Sequence, residues 1–423
     1  MAHPSGRTVW GGVFFGLAVA VLGAYQQLKL PPVLPEMLAS FGYPKLLAGG
    51  FMSIFAVAGL LLSLQVGRWM QIAGAARFLI GAAALAIAGS SLILWAPENG
   101  WIVLAGRALE GTAMAVLAVA GPTIMTRNAG PEHLAVAGAL AATWIPLGGL
   151  AASGVARGWE AASPGAALWP PVFWVGIGFA ALVGLASWRL ARPGSPVDLK
   201  MPVPQAGAVA PDPARRTALI LAGLCFFFWS TQNMAMLSWL PTYLSERRGL
   251  DGGDAAALYA LPVAMIAVFN LVAIPILKRG APIAALLALV LAGQVALFAA
   301  VALFPIAETP ALGIATLALY GALAGITPSC LYGLPAAILG GARTGAGAFG
   351  ILMTGRNMGV LSGPLLVAAL VDGGLFAAWD GGWGAAAPAV ALTTGLATLT
   401  ALVLMRRLAR LTPERRGPYG TSL

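Results

Sequence analysis

Residues 9–34 read VWGGVFFGLAVAVLGAYQQLKLPPVL, with Lys29 as the single charge. A hydrocarbon core takes about 20 apolar residues of helix to cross, and this run supplies them. It is longer than the apolar core of a secretion signal and has no small-residue cleavage pattern, so it is expected to stay in place as a transmembrane helix. A transmembrane β-barrel would alternate apolar and polar residues, and this stretch does not.

The rest of the chain repeats the theme. Of 423 residues, 59% are hydrophobic and 9% charged. A soluble domain carries about 25% charged residues. That argues against a soluble enzyme, a nucleic-acid binder or a disordered chain. The net charge of +10 and a pI near 10.2 would suit nucleic acid only if the basic residues formed a stripe, and they do not. Cys225 and Cys330 sit in apolar segments and give no sign of a disulfide. His3 and His133 are the only histidines. With no carboxylate cluster, metal-ligand set or phosphate loop, the sequence points to no enzyme, no metal and no cofactor.

Apolar runs bounded by charges or turn residues give twelve spans, at about 9–34, 46–69, 77–95, 101–126, 133–156, 168–190, 216–244, 254–277, 282–304, 310–338, 346–371 and 385–405. With the N-terminus inside, 17 of the 24 Lys and Arg fall in cytoplasmic segments. Four (Lys45, Arg157, Arg247, Arg248) fall outside, and Lys29, Arg107 and Arg356 lie within spans. By the positive-inside rule both termini are cytoplasmic. Short tails and no targeting segment place the expected protein in a bacterial inner membrane, as a monomer.

The longest polar connection, Arg192 to Arg216, is rich in proline and reads as a flexible cytoplasmic linker. The expected organisation is an N-terminal six-helix half (1–191), a linker (192–216) and a C-terminal six-helix half with a short tail (217–423). A weak internal repeat supports it. Tyr25-Gln26-Gln27, Leu34-Pro35 and Leu38 match Thr231-Gln232-Asn233, Leu240-Pro241 and Leu244 at an offset of 206. The same offset sets Gly74-Ala75 on Gly280-Ala281 and Pro122 on Pro328. Parallel repeats of this kind recur among secondary transporters.

In these respects the chain resembles the major facilitator superfamily: an all-α polytopic membrane protein of twelve helices in two six-helix halves. The motifs are degenerate. The loop after span two reads Gly67-Arg68-Trp69-Met70-Gln71-Ile72-Ala73-Gly74-Ala75-Ala76-Arg77. Gly67, Gly74 and Arg77 match the family's gating loop, but Gln71 stands where the family has an acid. Arg107-Ala108-Leu109-Glu110-Gly111 looks like the Arg-x-x-x-Gly motif associated with proton coupling. The antiporter motif is not reproduced at Pro146-Leu147-Gly148-Gly149. The resemblance implies alternating access around a central cavity formed by spans one, four, seven and ten. The chain is also similar in style to cyanate/nitroimidazole-type and monocarboxylate-type members.

Charges at membrane depth are costly and usually face a partner or a cavity. Arg356 falls near the midplane of span eleven, and its guanidinium suits a carboxylate or another oxyanion. Arg107 and Glu110, at i and i+3, share a helix face. They are either a static pair or a proton site, with Glu110 as carrier. Lys29 falls near the outer end of span one, where it either snorkels to the interface or draws an anion into the cavity. Gln26 and Gln232 are expected to offer hydrogen bonds from the two halves, beside Tyr25. Trp144, Trp229 and Tyr320 are expected at similar depth as an aromatic wall. Gly355, Gly359 and Gly363 form a small-residue stripe for close helix packing. Pro31, Pro32, Pro35 and Pro241 predict kinks near the outer mouth.

Three positive charges against one negative at depth point to a small anionic solute, organic or inorganic, moved in symport with H⁺. The alternative is a proton-driven multidrug or metabolite exporter. The expected partners are a small-molecule substrate, protons and the lipid bilayer, with no nucleic acid.

Overall fold

A computed structural model describes residues 7–201, 212–301, 309–339, 346–372 and 382–411. Residues 202–211 of the expected linker lie outside the described residues, as do Glu308, Arg343, Asp380, Arg415 and Arg416.

The described residues form fourteen α-helices and no strand. They are α1 (Trp10–Leu28), α2 (Leu34–Phe41), α3 (Lys45–Ala73), α4 (Ala75–Trp95), α5 (Gly100–Asn128), α6 (Leu134–Ala142), α7 (Trp144–Ala162) and α8 (Trp169–Leu190). After the linker come α9 (Pro213–Arg248), α10 (Gly252–Lys278), α11 (Ile283–Val301), α12 (Pro310–Leu339), α13 (Ala346–Asp372) and α14 (Trp383–Leu411).

Local chemistry sets the ends. Asn99, Asp212 and Asp251 accept backbone N–H bonds at the starts of α5, α9 and α10, satisfying donors that have no partner inside the helix. Glu36 of α2 takes the N–H groups of Leu168 and Trp169, at 2.9 and 3.0 Å, so a carboxylate sits at the positive end of α8. Gly74 and Gly280 turn the chain with φ of 87° and 88°, in the left-handed region that a residue with a Cβ avoids. The two are 206 residues apart.

Nine described helical segments are long and apolar enough to cross a membrane, and the bent pair α6–α7 makes ten. The expected spans 282–304 and 346–371 are the two outside that count. The described apolar stretch of α11 is short, Ile283–Phe298, and α13 carries Arg356 and Asn357 at its centre.

The first span runs past its expected end. It does not end at residue 34. Pro31–Val33 form one 3₁₀ turn, and the chain continues into α2, so that Trp10–Phe41 make one apolar segment of 32 residues, long enough to cross. Proline lacks an N–H and breaks the helical ladder, which explains the turn but does not stop the span. Lys29 lies between α1 and this turn, fully buried in the bundle.

The small-residue stripe lies where α13 meets α9. A Cβ at Gly355 would fall on the carbonyl oxygen of Gly223, at Gly359 on that of Phe227, and at Gly363 on that of Thr231. The backbones touch because nothing larger than hydrogen intervenes. Between α1–α8 and α9–α14 the main packing runs through two helix pairs, α3 with α13 and α7 with α10.

Candidate functional site

Two polar features lie inside the bundle. One is a closed cluster around Glu110. Lys29 Nζ is 2.7 Å from Glu110 Oε1, and Arg107 Nη1 is 2.7 Å from Oε2. Ser90 donates its hydroxyl to Oε1 at 2.6 Å. Arg107 also donates to the carbonyl oxygens of Gln26, Gln27 and Phe51 at 2.7, 3.0 and 3.1 Å. Lys29 donates to the Gln26 side chain and to Ser90, and its ammonium lies 4.4 Å from the centre of the Phe173 ring. Lys29, Gln26, Ser90, Arg107 and Glu110 all have 0% exposure. Two cations thus share one carboxylate where no water reaches, and every oxygen of that carboxylate is taken.

Lys29 does not snorkel. Its partner comes from α5, a contact that residue spacing along α1 cannot reveal. Ser90 is likewise a residue that sequence reasoning misses: one serine in an apolar helix carries no signal by itself.

The other feature is a cavity of about 650 Å³ between α1–α8 and α9–α14. Trp144, Trp229, Gln27, Asn233, Asn357 and Arg356 line it, within a wall dominated by apolar residues such as Phe55, Met114, Phe226 and Tyr332. Arg356 is the one charged residue among the lining residues. It donates to Asn357 Oδ1 at 3.0 Å and forms no ion pair with an acid among the described residues. The indole N–H of Trp229 is buried without a hydrogen-bond partner there.

The other expected residues fall away from the cavity wall. Lys29 and Arg107 are enclosed with Glu110. Tyr25 donates to the Val172 carbonyl at 2.7 Å. Gln26 faces the buried cluster, and Gln232 donates to the Tyr320 hydroxyl at 2.9 Å. Tyr320 packs on Phe298 at 5.9 Å between ring centres, so it is no part of an aromatic wall with Trp144 and Trp229. The residues one step on, Gln27 and Asn233, do line the cavity. One step turns a helical side chain by about 100°, so the cavity takes the neighbours of Gln26 and Gln232. Gln27/Asn233, Leu28/Met234 and Pro122/Pro328 all line the cavity, and each pair is separated by 206. Gly67 and Gly74 bracket the end of α3, and Arg77 lies exposed in the first turn of α4. Metal-ligand groupings are absent among the described residues.

Polar contacts tie the two sets of helices together at one end. Lys45 on α3 pairs with Glu246 on α9 at 2.7 Å, Asp372 accepts the Leu46 N–H at 3.0 Å, and Arg157 on α7 lies 3.5 Å from Asp254 on α10. At the other end the lining residues Gly138, Phe349 and Thr354 are exposed.

Known proteins show the same architecture. A bacterial homologue of the human lysosomal transporter Spinster, solved inward-facing and unoccupied, superposes with a TM-score of 0.74 at 13% identity, covering 94% of this chain and 97% of that one. The nucleoside transporter NupG superposes with a TM-score of 0.66 at 15% identity, covering 94% of this chain and 98% of that one. No curated protein sequence matches the chain. The Major Facilitator Superfamily sequence model matches residues 11–347. A polytopic helical bundle, a cavity between its two sets of helices and a family match over most of the length agree: the chain belongs to the major facilitator superfamily.

Proposed function

We propose that the protein is a secondary active transporter that moves an anionic solute through the central cavity by alternating access. The observation that carries this reading is Arg356: a guanidinium on the cavity wall with an amide neighbour and no acid partner among the described residues. Its fork of N–H donors suits a carboxylate or similar oxyanion. In this reading residues 1–191 and 217–423 are the two rocking halves. Both termini are cytoplasmic in the inner membrane of a bacterium, and the end tied by Lys45 and Glu246 is the outer one. The cavity then opens inward. Proton symport would act through the Lys29–Arg107–Glu110 cluster, where a change of protonation alters a balance of two cations and one anion.

Reconstitution into proteoliposomes tests this. A pH gradient, acid outside, should drive uptake of organic anions by the wild type and not by Arg356→Ala. Equal uptake by both overturns the reading.

The mostly apolar, aromatic and Met-containing wall favours one second reading, a proton-driven exporter of amphipathic compounds. Competition between organic anions and lipophilic cations separates the two.

A further inference from the structure

The size and lining of the cavity narrow the solute further. This step rests on the anion reading above. A water molecule takes about 30 Å³ of liquid, so about 650 Å³ would hold on the order of twenty waters. An inorganic or one-carbon anion on Arg356 would leave most of that volume wet. The wall would gain nothing from such a ligand, since phenyl, indole, thioether and aliphatic groups dominate it. The volume instead lies within the ~300–1,000 Å³ range of pockets for drug-sized molecules.

The wall also carries neutral polar side chains, among them Gln27, Ser230, Asn233 and Asn357, and two groups with unused donors stand out. Among the described lining residues Arg356 supplies the only charge, and one of its N–H groups goes to Asn357. The remaining donors of the guanidinium have no hydrogen-bond partner among the described residues. Trp229 is 6% exposed, lines the cavity and has an indole N–H without an acceptor. A buried unsatisfied donor is destabilising, and an acceptor atom on a ligand would relieve it. An anion head on Arg356 with an acceptor toward Trp229 uses both.

We propose that the cavity binds an amphipathic organic monoanion: one carboxylate or equivalent oxyanion seated on Arg356, an oxygen accepting from the Trp229 indole, and an aromatic or branched apolar body of several rings' size against Phe55, Trp144 and Phe226. A single negative charge matches the one cation among the described lining residues. A dianion would leave a second charge with no counter-charge among the described lining residues.

Purified full-length protein in detergent, unfolded thermally with formate, nitrate, benzoate, 2-naphthoate, 2-naphthamide or tetraphenylphosphonium, tests this, because a binder of the folded state raises the midpoint. The midpoint shift should grow from formate through benzoate to 2-naphthoate. The fitted Kd should be at least tenfold lower for 2-naphthoate than for formate, and 2-naphthamide should give no shift. Trp229→Phe should weaken 2-naphthoate several-fold, read as the shift from that variant's own unliganded midpoint. Arg356→Gln should abolish its shift. Formate or nitrate binding as tightly as 2-naphthoate overturns this inference and leaves the anion reading standing. Naphthamide or tetraphenylphosphonium binding as tightly as 2-naphthoate overturns the anion reading itself. No shift from any probe overturns the inference, since wild-type protein needs no substitution to show it.

Discussion

Lys45, the first residue of α3, and Glu246, in the last turn of α9, meet at 2.7 Å and tie the two sets of helices together. Trp383 adds a hydrogen bond to the same carboxylate at 3.1 Å. The pair is partly exposed, so its energy is modest, about 0.2–1 kcal/mol. That is still enough to bias two states of similar free energy. The same residues look like mere topology labels in the sequence, because nothing along the chain announces that positions 201 residues apart face each other.

Breaking this tie should favour opening of that end. Lys45→Gln should raise the population with the ends of α3 and α9 apart by roughly two- to fivefold, read as a distance distribution between spin labels on those ends. The exchange Lys45→Glu with Glu246→Lys should restore the closed distribution. An unchanged distribution in Lys45→Gln would show that the pair has no gating role.

The buried cluster gives an asymmetric prediction. Glu110→Gln leaves Lys29 and Arg107 enclosed without a counter-charge, and removing one partner of a buried pair costs about 3–5 kcal/mol. Lys29→Met leaves Arg107 still paired with Glu110 and should cost less. The double variant Lys29→Met/Glu110→Gln should be more stable than the sum of the two single losses predicts. Thermal unfolding of all three measures this, and strict additivity would mean the groups do not interact.

Helix contact at the glycine stripe should be intolerant of a methyl group. Gly359→Ala drives a Cβ into the Phe227 carbonyl and should cost about 1–3 kcal/mol through forced separation of α9 and α13. Gly350, on the same helix, has open space around it. Gly350→Ala should be neutral or stabilising by about 0.5–1 kcal/mol. Equal effects at the two positions, in the same unfolding assay, would contradict the packing described.

Beyond the membrane, Asp198 pins the segment after α8 to the end of α5. Its carboxylate takes Arg127 Nε and Nη2 at 3.0 and 2.6 Å and the Lys200 N–H at 2.8 Å. Burial alone would raise its pKa, but the hydrogen bonds from Lys200 and Arg127 and their positive charges outweigh that and hold it below the ordinary value. The stability from a carboxylate so lowered is present above its unfolded pKa, about 3.9, and is lost as pH falls through the lower folded value. Asp198→Asn should therefore destabilise at pH 7 by about 1 kcal/mol, with the difference from wild type vanishing on acidification below about pH 4. A difference independent of pH would contradict the ionic account.

The fold is largely legible in the sequence because it rests on composition and period. Long apolar runs decide a helical bundle wherever they occur, and the Gly74/Gly280 and Pro122/Pro328 matches need only a constant offset. The Arg107–Glu110 pair is legible for the same reason, being local to one helix. The prolines at 31 and 32 look like a helix end and make one 3₁₀ turn before α2, and Lys29 beside them is enclosed, not exposed at an interface. Its bond to Glu110 depends on how α1 packs on α5. Sequence singles out Gln26 and Gln232 where the cavity takes Gln27 and Asn233, because helix rotation at the cavity is set by tertiary packing, not by residue type. Arg356 stands out in both, since a charge near mid-span is rare whatever packs around it.

The most direct measurement is the initial rate of radiolabelled 2-naphthoate uptake into proteoliposomes, wild type against Arg356→Lys and Arg356→Ala, at matched protein incorporation. If Arg356 seats the anion, Arg356→Ala falls to the rate of empty liposomes, and Arg356→Lys, which keeps the charge and loses the fork, retains roughly a tenth of the wild-type rate. Wild-type uptake by Arg356→Ala would contradict the account.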